Sequence, residues 1–95
     1  LNIEDPGADL ATILALASSM KDKAIKDGVI AIGEIGLTGE IRSASQIEQR
    51  LRECARLGFK TCILPKSNAD KLKNIPDIKV IAAATIYDAL RAALE

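Results

Sequence analysis

Apolar residues recur along this chain with two different periods. Leu10, Ile13, Leu14, Ala17 and Met20 fall three and four apart, the spacing that gathers side chains on one face of a helix. Asp5-Pro6 predicts where that helix starts, with Asp5 as the cap and Pro6 in the first turn, where no amide hydrogen is needed. Ala8, Ala11, Ala15 and Ser18 fill much of its remaining surface, so close approach on more than one side and a central place in the core are expected. The polar run 21–26 ends it, and Leu1-Asn2-Ile3 reads as the tail of a strand.

Gly28 to Ile35 is predicted as a strand. Its stretch Val29-Ile30-Ala31-Ile32 is too continuously apolar for one wet face and predicts a buried central position. Gly33, Gly36 and Gly39 then recur every three residues. No Gly-Lys-Ser/Thr ending and no strand–loop–helix order accompany them, so Thr38-Gly39 reads as a tight turn or bulge rather than a phosphate loop. Ser43 with Gln46, or Ser45 with Glu48, has the spacing of a capping box ahead of a helix whose apolar face is Ile47, Leu51, Cys54 and Ala55. Gly58 ends that helix.

Phe59 to Leu64 is the next strand, closed by Pro65, and Ser67 or Asn68 opens a short helix through Lys73 that Pro76 stops. Ile78 to Ala83 is a further strand. Thr85, with Asp88 three residues on, caps a last helix holding Ile86, Leu90 and Leu94. Helices alternating with apolar strands predict an α/β domain with parallel neighbours and right-handed crossovers.

Composition narrows the chemistry. Ninety-five residues, 48% hydrophobic and 27% charged, make one small domain without repeats. No apolar stretch reaches the ~18 residues of a bilayer span, and no secretory start is visible. Two cysteines are too few for a disulfide scaffold and fit a reducing cytoplasm. Histidine is absent, which removes Ser-His-Asp and Cys-His catalysis and any His-containing zinc site. Cys54 and Cys62 are read as small buried apolar residues.

Charge is zero overall but segregated. Residues 1–41 carry a net −4, residues 42–66 a net +4, and residues 67–95 balance. The basic segment holds Arg42, Arg50, Arg52, Arg56, Lys60 and Lys66 against Glu48 and Glu53. Such a cluster either solvates a surface or forms a phosphate footprint. No aromatic residue interleaves Arg50, Arg52 and Arg56, so stacking of bases on that helix is not expected.

Several ordered blocks carry a resemblance. Gly33-Glu34-Ile35-Gly36-Leu37-Thr38-Gly39-Glu40-Ile41-Arg42, Gln46-Ile47-Glu48-Gln49-Arg50-Leu51, Ala55-Arg56-Leu57-Gly58-Phe59-Lys60 and Ile63-Leu64-Pro65-Lys66 resemble the Lon-protease-like domain. The form most similar is the one at the C-terminus of the RadA (Sms) family of bacterial DNA repair proteins. Ile3-Glu4-Asp5-Pro6 and Ala8-Asp9-Leu10-Ala11 resemble it too. The resemblance implies the ribosomal S5 domain 2-like fold of Lon peptidases, with residues 1–95 as the C-terminal part of the domain. It also implies that the zinc finger and RecA-like ATPase of that family, with their Zn, ATP and Mg, lie outside these residues.

Lon peptidases use a serine nucleophile and a lysine base. Laid along the family pattern, the serine position falls at Ala8 and the lysine position at Glu48. Neither can do the chemistry, so no peptidase is expected. Ser18, Ser19, Ser43, Ser45 and Ser67 read as helix-end or capping residues rather than a relocated nucleophile. The family implies instead a DNA-binding and ring-assembly module of a branch-migration helicase. Its expected setting is cytoplasmic, in a hexameric ring away from membranes, acting on single-stranded or branched DNA regardless of sequence. Arg42, Arg50, Arg52, Arg56, Lys60 and Lys66 are the candidate DNA contacts. The alternative is pure self-assembly, in which acidic Glu4, Asp5, Asp9, Asp22 and Asp27 of one copy meet the basic segment of the next.

Overall fold

The computed structural model describes residues 8–36, 38–72 and 77–95. The strand tail at residues 1–3, Asp5-Pro6, the predicted helix end at Lys73 and the stop at Pro76 lie outside them.

The first helix starts later than its proline suggested. Ala8–Asp9 form a short strand, β1, and the helix α1 runs Leu10–Lys21. Asp9 is its cap, accepting from the backbone N–H of Ala11 (2.8 Å) and of Thr12 (3.3 Å). α1 is also less central than predicted. Leu10 and Leu14 are buried, whereas Leu16 is 56% and Met20 86% exposed, because only one side of the helix meets other elements of the described chain.

The run predicted as one strand divides into two. β2 is Val29–Ala31 and β3 is Glu34–Ile35, and they belong to different sheets. Gly33, at φ +148, makes the break. A Cβ there would lie 3.1 Å from Cγ of Pro65, so residue type and close approach act together. β3 then pairs with β1 on one side and with β4, Ile41–Arg42, on the other, both antiparallel. The β3–β4 connection is the predicted tight turn, closed by Gly36 N–H to Glu40 O at 2.8 Å.

The second sheet is parallel, in the order β2–β5–β6, where β5 is Thr61–Pro65 and β6 is Lys79–Ala83. β2 therefore lies at an edge and β5 at the centre, a correction that follows from β5 being the longer strand and buried on both faces. Side chains of β5 alternate between two cores. Ile63 packs with Leu10 and Leu14 of α1 and with Ala89 and Ala93 of α4 (Ile86–Ala93). Cys62 and Leu64 pack with Leu51 and Cys54 of α2 (Ile47–Arg56). The parallel sheet is thus covered by α1 and α4 on one face and by α2 on the other.

The capping box predicted at Thr85 and Asp88 is present. The one predicted ahead of α2 is not. Gln46 occupies the cap position at φ +53 without a side-chain bond, because Ser43 is engaged elsewhere, on Ser67. Likewise the short helix α3 spans Lys66–Ala69, with Pro65 at its cap position. Among the described residues no helix is long and apolar enough to cross a membrane.

Candidate nucleic-acid interface

Ligand sites of parallel α/β sheets gather at the carboxyl ends of the strands. Here that end is formed by Gly33, by Pro65 running into α3, and by the loop 43–45 that leads to α2. Two contacts fasten it. Ser43 Oγ and Ser67 Oγ hydrogen-bond, and Asn68 grips the backbone of Ala44. A cleft of about 270 Å³ opens beside them, lined by Asp9, Gly33, Glu34, Ser43, Ala44, Ser45 and Arg50.

The six cations predicted from sequence do not form one patch. Arg42 precedes Ser43 and Lys66 precedes Ser67, so both flank the serine bridge, and Arg50 reaches the cleft at the same end. Lys60 lies at the opposite end of β5, about 16 Å away by the rise of a five-residue strand. Arg50 and Arg52 are two positions apart on α2, about 200° around its axis, so they leave the helix on different sides. Arg52 and Arg56 share the second side, away from the cleft.

Most of these cations have acidic partners. Arg52 pairs with Glu48 at 3.8 Å, Arg56 with Glu53, Arg42 with Glu40 at 3.4 Å and Lys66 with Asp70 at 3.1 Å. All are well exposed, so each pair contributes little to stability and is easily exchanged for another anion. Arg50 and Lys60 have no ion pair among the described residues. Glu40 is itself held by Thr38, whose side chain and backbone N–H both donate to it, and this hydrogen bonding, with Arg42 nearby, keeps its carboxyl below the usual range.

The two positions that the Lon resemblance assigns to the peptidase dyad fall on β1 and in α2. Residue 8 pairs with Ile35 in β1–β3. The serine motif of the Lon pattern is Gly-Pro-Ser-Ala-Gly; with its proline set on Pro6 the serine position moves to Gly7, and glycine, like Ala8, has no hydroxyl. Glu48 sits in the first turn of α2, where the helix dipole favours a carboxylate, and turns toward Arg52. Cys54 and Cys62 are both buried, as predicted. Burial raises both thiols, that of Cys62 to about 12, so neither is a ready nucleophile.

A three-layer α/β domain with the Gly-Glu-Ile hairpin and a cleft at the carboxyl end of its sheet defines a class, and the comparison agrees: residues 2–95 match the Lon protease (S16) C-terminal proteolytic domain, and the chain belongs to that family. Its similar relatives are more specific. It is 44% identical over 94 residues to the DNA repair protein RadA of Listeria monocytogenes and 43% identical over 94 residues to that of Bacillus subtilis. It is 44% identical over 90 residues to the DNA repair protein RadA of Synechocystis. These alignments cover 99%, 99% and 90% of this chain but 21%, 20% and 18% of the relatives. The chain therefore spans about a fifth of the length of the relatives it matches, and corresponds to their Lon-like domain.

Proposed function

We propose that this chain is a non-proteolytic Lon-fold domain that holds nucleic-acid phosphates and assembles into a ring within an ATP-dependent DNA repair and recombination helicase of the cytoplasm. The observation that carries the reading is the gathering of Arg42, Arg50 and Lys66 about the Ser43–Ser67 bridge and its cleft, at the carboxyl end of the parallel sheet. In place of that dyad stand Ala8 and Glu48, and the relatives are DNA repair proteins. Arginine forks and a lysine point charge suit backbone phosphates without reading bases. Arg52 and Arg56, on the other side of α2, and Lys60, at the far end of β5, stand outside this cluster. ATP, Mg and Zn would be bound by other parts of a protein of the relatives' length.

The test is anisotropy of a labelled single-stranded oligonucleotide at low salt and near physiological salt. Saturable binding that weakens steeply with salt is expected, and replacing Arg42, Arg50 and Lys66 together by Ala should flatten the salt slope by roughly 2. No binding at either salt would overturn the DNA reading.

Internal pairing of Arg42, Arg52, Arg56 and Lys66 favours a second reading, in which the domain serves assembly alone. Mass in solution across salt concentrations distinguishes it: salt-labile oligomers without DNA affinity would support it.

A further inference from the structure

The tyrosine that sequence order kept away from the basic segment shares a groove with three cations. Tyr87, the chain's single tyrosine, stands in the first turn of α4 and is 69% exposed. It lines a groove of about 500 Å³ between α4 and the end of α1, within the size range of small-ligand sites. Leu90 and Leu94 also line this groove, Lys21 and Lys23 approach it from the end of α1, and Arg91 stands one turn beyond Tyr87. Glu95 contributes the groove's one carboxylate.

Lys21 and Lys23 have no ion pair among the described residues. Arg91 gives one nitrogen to Asp88 at 2.7 Å and keeps its other donors. An exposed aromatic ring beside two free lysines and an arginine complements an unpaired nucleotide, whose base offers a π-face and whose phosphates offer charge. None of these residues belongs to the 42–66 segment.

We infer that the α1–α4 groove binds single-stranded nucleic acid by stacking a base on Tyr87 and holding the flanking phosphates with Lys21, Lys23 and Arg91. The inference rests on the DNA reading above and deepens it with a second contact surface on other elements. A duplex has no free base face to give Tyr87, so this groove prefers single strands.

The chain has no tryptophan, so its tyrosine emission reports on Tyr87 alone. The experiment titrates the chain with oligo-dT and with an abasic oligomer of equal length, following tyrosine emission and, in parallel, anisotropy of the labelled strand. Oligo-dT should quench the emission saturably and the abasic strand should not. Tyr87→Ala should weaken oligo-dT binding by ~5- to 150-fold, with Tyr87→Phe close to the parent. Changing Lys21 and Lys23 together to Ala should reduce the single-strand salt slope by about 1.4. Thermal melts of each variant confirm that it is folded.

Binding by anisotropy with unchanged emission and full affinity in Tyr87→Ala would overturn the groove while leaving the DNA reading intact. No binding of any strand would overturn both. A change of solution mass in Tyr87→Ala, with DNA affinity untouched, would make the groove a contact between copies and overturn the inference.

Discussion

Asn68 holds Ala44 by both ends of its peptide backbone: Nδ2 donates to Ala44 O at 2.9 Å, and Oδ1 accepts from Ala44 N–H at 2.7 Å. Asn68 is also the one buried polar side chain among the described residues. The pair bonds the start of α3 to the loop ahead of α2, and so sets where Arg42, Arg50 and Lys66 stand relative to one another.

Asn68→Leu should therefore destabilise the fold by about 1–3 kcal/mol, since Ala44 would lose both partners in a half-buried loop. Asn68→Asp keeps the acceptor but loses the donor and places charge in a buried site, so it should do no better. Urea midpoints decide the matter. A Leu variant as stable as the parent would show that the clamp contributes nothing.

Gly33 should tolerate no side chain. Ala at φ +148, with its Cβ against Pro65, is expected to cost roughly 1–3 kcal/mol, visible as a lower urea midpoint. An unchanged midpoint would mean that β2 and β3 can separate without this turn.

The cysteines should stay silent to a thiol reagent at pH 8 and react only once urea unfolds the chain. Burial places the Cys62 thiol near 12 against an ordinary 9.0. The unfolded chain then ionises first, so this contribution to stability is whole below pH 9 and declines as pH rises from 9 toward 12. Midpoints that stay level across that range would contradict it.

At the other end of the scale, Asp88 accepts from the backbone N–H of Ala84 (3.1 Å) and of Thr85 (3.2 Å), and these bonds, with Arg91 adding a smaller effect, hold its carboxyl below 3.8. Its support for α4 is present above that value and is lost as pH falls through the lower folded one. Thr85→Ala should cost about 1 kcal/mol by removing the reciprocal cap, and Thr85→Ser should recover most of it. Helix content against pH, with and without Thr85, tests both statements.

Unfolded casein should survive incubation with the chain. Glu48→Lys should leave it equally intact, because a restored base still has no hydroxyl to activate at Gly7 or Ala8. Turnover blocked by a serine-trapping reagent would refute this.

Several features that rest on residues close in sequence were legible in the chain alone. The apolar face of α2, the turn at Thr38-Gly39, the Thr85–Asp88 cap and the parallel β5–β6 pair all follow from spacing within a few residues or from alternating apolar runs. The missing hydroxyl and amine of the peptidase are equally a matter of sequence. Only the folded chain decided that Asp9 rather than Asp5 caps α1, that Gly33 sends the strand into a second sheet, and that Ser43 bonds Ser67 instead of capping α2. It also spread the six cations of residues 42–66 over separate surfaces and brought Tyr87 into one groove with Lys21 and Lys23. The serine bridge and the Tyr87 groove depend on contacts between residues 24 to 66 positions apart. No local period encodes them, because they arise only when both faces of the parallel sheet are covered and the loops at its ends must share the space that remains.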